Sequence, residues 1–304
     1  MPEAQESSPI TLVEDGERSE NMKEFKDKIA VVTGGASGIG RAMAERFAAE
    51  GMKVVLADIE QGALDSAESE MKAKGASVLA VRTDVSKAED VEALAQKTID
   101  AFGAVHVVCN NAGVGGGGVS WQQTAKDWEW FLGVNLWGVI HGIRVFVPIM
   151  LQQGTEGHIV NTASGAGLHA RPWMATYCVT KRAVVALSES LHYDLAVSGA
   201  KVKVSVLCPA TVNTRIMDAD RNRPAGLRND PGEETRSAQL EAIEQGFRQL
   251  LATGMSPEQV ADHVFNAIRD EKFYIITHPE TKDRVRARME DILEERNPSL
   301  QAAL

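Results

Sequence analysis

Tyr177 and Lys181 are the two side chains whose types and spacing best suit acid–base chemistry. They stand four residues apart, so on a helix they share one face. A tyrosine with an ordinary pKa of about 10 exchanges protons poorly at neutral pH, but a neighbouring ammonium favours the phenolate. Of the three tyrosines in the chain, only Tyr177 has a lysine at this spacing. A solvated helix face explains most such pairs, so the pair by itself is weak evidence.

A glycine-rich turn, TGGASGIG at residues 33–40, lies between the first predicted strand and the first predicted helix. Such a turn lets the backbone approach a pyrophosphate, while the helix N-terminus supplies free N–H groups and the positive end of its dipole. Its glycine spacing differs from the commoner GxGxxG, and a plain tight turn is the alternative. Because of its place in the chain, we predict a dinucleotide site that includes Gly34, Ser37, Gly38, Ile39 and Gly40.

Asp58 ends the second predicted strand, 18 residues after Gly40. A carboxylate there can accept hydrogen bonds from the ribose hydroxyls of an adenosine, although a turn or helix cap is the alternative. Since a carboxylate repels a 2′-phosphate, Asp58 favours NAD over NADP. Neither Ser37 nor Ile59 offers the positive charge that this phosphate requires, but Arg41 remains a candidate partner.

Polar or backbone-special residues follow most of the other predicted strands as well. They are Asp84 and Val85 after the third strand, Asn110, Asn111, Ala112 and Gly113 after the fourth, Ser164 after the fifth and Pro209 after the sixth. Taken singly, each is more often a cap or a turn. In an open parallel sheet, however, the ligand binds beyond the carboxyl ends of the strands. Together these residues predict one site at one edge of the sheet. We expect Asp84 and Val85 at the adenine, and the run 110–113 after the fourth strand along the riboses.

Short β-branched runs alternate with longer helical patterns from residue 29 onwards, which is typical of a parallel sheet with crossover helices. The predicted strands cover residues 29–33, 53–57, 78–82, 105–109, 158–161, 202–207 and 273–277. The predicted helices cover residues 39–50, 60–74, 87–102, 121–152, 175–198, 257–270 and 281–295. We predict an α/β fold: a single domain with a doubly wound, Rossmann-type parallel sheet of seven strands and helices on both faces.

The composition excludes several classes of protein. The 304 residues carry 32 basic and 42 acidic side chains, a net charge of −10, so no basic excess exists to bind nucleic acid or an anionic membrane. The apolar stretch 133–151 is interrupted by Asn135, His141 and Arg144, which predicts a buried helix rather than a bilayer span. The three cysteines have no CxxC spacing, which favours reduced thiols in the cytoplasm and gives no support to a metal site.

Composition also divides the chain into segments. Residues 1–24 hold seven acids and two bases without the apolar core of a secretory signal, and we predict a disordered acidic tail. The domain is predicted over 25–280, with a charged, lid-like insertion at 215–254. Residues 281–304 are predicted to form a C-terminal helical extension.

The glycine turn, the NNAG run, Ser164, and Tyr177 with Lys181 occur in an order that resembles the short-chain dehydrogenase/reductase superfamily in its compact form, over about residues 25–280. The resemblance implies that Tyr177 is the general acid/base and that Lys181 lowers its pKa and holds the nicotinamide ribose. It implies that Ser164 orients the substrate carbonyl or hydroxyl.

The resemblance extends to two further segments. Asn135 is similar in position to the family's fourth catalytic residue, which holds a water in a proton relay from the lysine. The run 209–214 is similar to the family's Pro-Gly-x-x-x-Thr segment, except that Ala210 replaces the glycine. It implies that Thr214 and the Val212 backbone reach the nicotinamide carboxamide. The implied cofactor set is completed by Thr162, Tyr177, Lys181 and Pro209.

The substrate is expected to lie against Ser164, His169, Trp173 and Tyr177. His169 and Arg171 could bind an acidic substrate, although a solvated loop is the alternative. The implied activity is NAD-dependent hydride transfer between the nicotinamide and a lipophilic secondary alcohol or ketone, such as a sterol, terpenoid or fatty-chain carbonyl. An NADPH-dependent biosynthetic ketoreductase and a catalytically silent NAD-binding sensor or scaffold are the alternatives. We expect a homodimer or homotetramer.

Overall fold

The computed structural model describes residues 22–230 and 238–299. The described residues form one sheet of seven strands, all parallel, and its order is β3-β2-β1-β4-β5-β6-β7. The strands are β1 Ile29–Thr33, β2 Lys53–Asp58, β3 Val78–Arg82, β4 Val107–Asn110, β5 Gly157–Thr162, β6 Val202–Cys208 and β7 Tyr274–Ile276. The predicted fold is confirmed. The predicted tail falls outside the described residues except at 22–24.

The chain reverses its direction of winding at β1, which pairs with β2 on one side and β4 on the other. A crevice opens at such a reversal because the connections leave in opposite directions. β4 begins two residues later than predicted, because the backbone N–H and C=O groups of Val105 bind the Gln153 side chain instead of a neighbouring strand. The Gln153 amide donates to the Val105 C=O at 2.7 Å and accepts from its N–H at 2.8 Å.

Helices cover both faces of the sheet. They are α1 Gly38–Ala49, α2 Gln61–Ala73, α3 Ala88–Phe102, α4 Ala125–Leu132, α5 Gly138–Gln153, α6 Gly165–Leu168, α7 Ala175–Val197, α8 Ala238–Ala252, α9 Pro257–Arg269 and α10 Glu280–Leu293. Phe47 of α1 and Ile268 of α9 belong to the apolar core on one face. Leu94 of α3 and Phe146 of α5 belong to the core on the other. The buried strands are apolar runs because both of their faces are covered.

The predicted helix at 121–152 is wrong in two respects. It begins only at Ala125, because Thr124 and Asp127 form a capping box in which each side chain accepts from the other's backbone N–H. It is then interrupted by a π-helical turn at Gly133–Trp137. The stretch Ala125–Gln153 is the one described helix long and apolar enough to cross a membrane, but its Asn135 and His141 are buried against the fold. We interpret it as a core helix.

Four helical segments were not predicted. They are α6, the 3-10 helices Ile216–Asn222 and Ala225–Leu227, and α8. Three of the four lie in the segment 215–254, which was expected to hold no confident helix. Residues of Ile216–Asn222 and of α8 line a cleft at the carboxyl ends of the strands, where the site is expected.

Candidate active site

A cleft of about 1010 Å³ runs along the carboxyl ends of the strands. It is lined by every residue predicted for the cofactor, the substrate and catalysis except Gly40, Asn110 and Asn135. Asn110 is buried, and its side-chain amide donates to Asn161 at 2.9 Å. The strand-end argument therefore brought together residues from six different strand ends. Among residues 22–230 and 238–299, no cluster of His, Cys, Asp and Glu side chains is suited to hold a metal ion.

The glycine turn has a shape that side chains would destroy. Gly34 adopts a φ of +63°, which favours glycine, and it lines the cleft. A Cβ at Gly40 would lie 2.1 Å from the Gly34 carbonyl oxygen, so Gly40 serves the packing of the turn rather than the cleft wall. Ser37 precedes α1, and no cap bond to its side chain is found within the described residues. The first N–H groups of α1 are thus available to phosphate oxygens, and the turn fits a dinucleotide.

Asp58 lines the cleft and also fixes the glycine turn to β2. Its carboxylate accepts from the backbone N–H of Ala36 at 3.0 Å and of Glu60 at 3.1 Å. Burial raises the pKa of Asp58, and the two backbone hydrogen bonds act against that rise. The turn interpretation and the ligand interpretation are therefore compatible at this residue.

Arg41, the candidate partner for a 2′-phosphate, is engaged by carboxylates. Its guanidinium donates to Glu45 at 2.9 and 3.1 Å and to Glu70 at 3.2 Å. Both acceptors lie on the surface formed by α1 and α2. A phosphate would have to compete with two negative charges for this arginine.

Thr33, at the end of β1, was not among the predicted residues. Its hydroxyl oxygen accepts from the backbone N–H of Asn111 at 2.9 Å and of Ala112 at 3.0 Å. The Asn111 side chain returns a bond to the Thr33 carbonyl at 3.0 Å. These bonds join the ends of β1 and β4, where the crevice opens. The threonine that begins the glycine-rich run was the available signal.

Ser164, Tyr177 and Lys181, the predicted catalytic side chains that line the cleft, come from the segment after β5 and from α7. The Lys181 Nζ atom donates to the Thr162 carbonyl at 2.8 Å, and burial lowers the pKa of Lys181 to about 8. Burial raises the pKa of Tyr177, and its hydrogen bond with Ser164 acts against that rise. Lys181 lies 5.8 Å from the centre of the Tyr177 ring and is not among the described groups that shift this pKa. In the protein alone, the interaction with Ser164 is the one influence among the described residues that lowers the pKa of Tyr177.

Asn135 is fully buried in the π-helical turn and does not line the cleft. Its Oδ1 atom accepts from the Val114 N–H at 2.8 Å, and its Nδ2 atom donates to the Val114 carbonyl at 3.0 Å. Nδ2 also lies 3.4 Å from the Thr180 hydroxyl on α7. Asn135 therefore holds the loop after β4 against the helix that carries Tyr177 and Lys181.

The loop between β5 and α7 borders the remaining part of the cleft. Ser164 begins α6 and accepts from the Ala166 N–H at 3.1 Å. Trp173 has a left-handed φ of +59°, and its carbonyl accepts from the Gly118 N–H at 2.7 Å. The run of four glycines at 115–118 is therefore paired with this loop rather than only a free linker.

Several apolar side chains that line the cleft were missed. They are Trp130, Val134, Ile216, Phe247 and Leu251. Phe247 and Leu251 lie one turn apart on α8, and the spacing of Ile243 with them is helical. This periodicity was the signal that the charged composition of the segment obscured.

Comparison with known proteins places this fold and site in a family. The short chain dehydrogenase family model matches residues 28–225. A 1-deoxy-11-beta-hydroxypentalenate dehydrogenase from Streptomyces exfoliatus is 35% identical over 270 residues, which are 88% of this chain and 89% of the relative. A C alpha-dehydrogenase from Sphingobium sp. is 33% identical over 276 residues, 90% of this chain and 88% of the relative.

A solved structure agrees over nearly the same span. A short chain dehydrogenase/reductase from Burkholderia phymatum, in complex with NAD, is 48% identical and superimposes with a TM-score of 0.89 over 91% of this chain and 98% of its own. The chain belongs to the short-chain dehydrogenase/reductase family. It is an oxidoreductase of the kind that interconverts alcohol and carbonyl groups with a nicotinamide dinucleotide.

Proposed function

We propose that this protein is an NAD-dependent dehydrogenase of secondary alcohols or ketones with Tyr177 as its general acid/base. One observation carries the proposal: Tyr177, Ser164, Lys181 and the glycine turn all line one cleft. Lys181 lies on the same helix as Tyr177, 5.8 Å from the centre of its ring. A nucleotide bound at that turn would occupy the same cleft as Tyr177. A sensor or scaffold without turnover would have no need of this arrangement.

Bound NAD supplies the hydride acceptor in the oxidative direction. Tyr177 takes the proton of the substrate hydroxyl during oxidation and returns it during reduction. Ser164 donates a hydrogen bond to the substrate oxygen. Lys181, with its pKa of about 8, holds the ribose and passes the proton onwards. That Asn135 holds a water in this relay stays a prediction. The contacts of Asn135 with Val114 support a role in positioning the loop after β4.

Asp58 and Arg41 support NAD over NADP. The Asp58 carboxylate lies at the cleft, where it suits ribose hydroxyls and repels a phosphate. Arg41 is held by Glu45 and Glu70. The relative from Burkholderia phymatum, which binds NAD, is consistent with this preference.

The apolar wall supports a lipophilic substrate. Trp130, Ile216, Phe247 and Leu251 border the cleft near the loop that carries Trp173. A flat ring system or an alkyl chain would bury such a wall, as a sterol, terpenoid or fatty-chain carbonyl does. One relative is by its name a dehydrogenase of a hydroxypentalenate.

We propose that the segment 215–254 acts as a lid over this substrate. The Arg221 guanidinium donates to Glu60 at 2.6 and 2.9 Å, and Asn222 donates to the same carboxylate at 2.7 Å. Glu60 follows Asp58, so these bonds connect the segment to the nucleotide end of the cleft. Such a connection would hold the lid closed over both ligands.

The Tyr177→Phe variant tests the proposed mechanism. We expect turnover on a panel of secondary alcohols, hydroxysteroids and terpenols to fall on the order of a hundredfold or more, with little change in NAD affinity by fluorescence titration. Tyr193→Phe, at an exposed tyrosine on the same helix, is the matched control and should keep full turnover. Retained turnover in Tyr177→Phe would remove the mechanism. Tight NAD binding by the wild type without turnover on any panel member would favour the sensor.

A cytoplasmic homodimer or homotetramer stays a prediction. Val179, Tyr193 and Val197 are exposed apolar or aromatic side chains on α7 that an interface would cover. Light scattering during gel filtration would give the number of subunits. A monomer at all concentrations would refute the predicted assembly.

A further inference from the structure

Two arginines line the part of the cleft bordered by α8 and α10. Arg171 lies in the loop between α6 and α7, and Arg284 lies on α10. The two guanidiniums are close enough that Arg284 lowers the pKa of Arg171. Two positive charges this close together in a cleft favour an anionic group on the ligand.

Arg171 is only partly satisfied by the protein. Its Nε atom is buried and has no hydrogen-bond partner within the described residues. Its guanidinium lies 5.9 Å from the centre of the Phe247 ring on α8. Burial lowers the pKa of Arg171, and of the described groups only the Cys178 thiol acts in the other direction. A guanidinium nevertheless stays protonated, and no carboxylate among the described residues forms an ion pair with this half-buried side chain.

The described acidic side chains of the cleft have no resolved effect on the pKa of Arg171. Glu244 and Glu280 both line the cleft, but neither is among the groups that shift the pKa of Arg171. Glu244 and Arg284 each take part in a further interaction of their own. The charge of Arg171 thus remains available to a ligand.

His169 supplies a second unsatisfied group in the same loop. It is 5% exposed, and its Nδ1 atom has no hydrogen-bond partner among the described side chains and backbone. Burial, with Arg171 and Arg284, lowers the pKa of His169 to about 4, so the ring is neutral at pH 7. A neutral ring can donate a hydrogen bond to an anion without adding charge. A planar group with two acceptor oxygens suits the pair of Arg171 and His169.

We propose that Arg171 and His169 form a subsite for a carboxylate of the substrate, at the end of the cleft away from the reacting carbon. The proposal rests on the dehydrogenase function and narrows its substrate to a hydroxy or keto acid. Phe247 and Leu251 line the cleft beside this subsite, so an apolar ring or chain separates the carboxylate from the carbinol carbon. The solvated-loop alternative would leave Arg171 with water alone.

The test is the binding of decanoate and methyl decanoate to the NAD-loaded enzyme, followed by tryptophan fluorescence and calorimetry. The two probes share their alkyl chain and differ in charge. One charge-assisted hydrogen bond makes binding tighter by roughly tenfold to a hundredfold. We expect wild type to prefer decanoate by at least about tenfold. Arg171→Met should lose that preference, and Arg171→Lys should keep part of it.

Arg182→Met is the matched control. Arg182 also has a buried nitrogen without a partner among the described residues, but it does not line the cleft. If the preference depends on direct contact, Arg182→Met keeps it; if it depends only on local positive charge, both variants lose it and the subsite is refuted. Equal binding of the two probes to wild type, no binding of decanoate, or a preference that survives in Arg171→Met would also overturn the proposal.

The same samples separate this proposal from the proposed function. NAD affinity should be equal in wild type, Arg171→Met and Arg182→Met, because neither arginine lies at the glycine turn. Loss of NAD binding in wild type, or turnover that survives Tyr177→Phe, would contradict the dehydrogenase mechanism whatever the decanoate result. A decanoate preference that fails while NAD binds and Tyr177 is required would contradict only the carboxylate subsite.

Discussion

Asp58→Asn is the sharpest perturbation of the proposed cofactor site. In the structure the Asp58 carboxylate serves two backbone donors, Ala36 at 3.0 Å and Glu60 at 3.1 Å. Asparagine keeps the size and one acceptor oxygen, which can stay on Glu60. Its amide nitrogen cannot accept from Ala36, so the variant removes the negative charge and one backbone hydrogen bond together.

Both losses have expected magnitudes. A hydrogen bond to a charged group contributes about 1.5–3 kcal/mol, so NAD should bind roughly 10-fold to 150-fold more weakly. NADP loses no attraction and escapes repulsion by the carboxylate, so its affinity should stay equal or rise. The NAD-to-NADP preference should therefore fall by at least about tenfold. The unpaired Ala36 N–H should lower the free energy of unfolding by about 1–3 kcal/mol.

Titration of NADH and NADPH fluorescence in parallel measures the ratio directly. Asp65→Asn is the control, because Asp65 is an exposed carboxylate on the neighbouring helix α2 and should leave the ratio unchanged. Replacing Asp58 by Ser together with Ile59→Arg should move the preference further towards NADP. An unchanged ratio in Asp58→Asn would refute the assignment of selectivity to this residue.

Two further predictions concern buried polar groups away from the ligands. Asn135→Ala removes the side-chain partner of both backbone groups of Val114, so the free energy of unfolding should fall by about 1–3 kcal/mol for each group. In urea unfolding the midpoint should fall accordingly, with the m-value unchanged. An unaltered midpoint would contradict the positioning role. Burial lowers the pKa of His158 to about 3, so below pH 6.5 the unfolded chain binds a proton there that the folded chain does not. The contribution of His158 to the free energy of unfolding is therefore fully present above pH 6.5 and decreases as the pH falls. Between pH 7 and pH 5 this decrease should lower the free energy of unfolding by about 2 kcal/mol. Urea unfolding at both values should show a shallower fall for His158→Gln than for His192→Gln, an exposed control, and equal slopes would contradict the assignment.

The fold, and the placement of the proposed catalytic residues in one cleft, could be predicted because local rules determine both. Tyr177 and Lys181 share a helix face whatever surrounds the helix, and Asp58 falls at a strand end whose position follows from an apolar run. Parallel strands then bring such ends to one edge. No knowledge of side-chain contacts was needed for these steps.

Residues whose roles depend on long-range contacts could not be placed in this way. The catalytic role predicted for Asn135 stays a prediction, and its contacts with Val114, made from a π-helical turn, could not be foreseen from the local sequence. Thr33 received no role because the loop it binds lies 78 residues later in the sequence. Gly40 was assigned to the ligand, whereas the space it leaves is filled by the Gly34 carbonyl.

The substrate end of the cleft shows why composition misled at residues 215–254. A helix that covers an open cleft needs apolar side chains on one face only, so its average composition resembles that of a solvated loop. The periodicity of Ile243, Phe247 and Leu251 carries the information that the average loses. Arg171 has the same difficulty in reverse, since a charged residue in a loop is usually solvated. Arg171 is distinguished from a surface arginine, and proposed to bind a ligand, because its Nε atom is buried without a partner among the described residues. Its guanidinium lies 5.9 Å from the Phe247 ring, on a helix more than 60 residues away in the sequence.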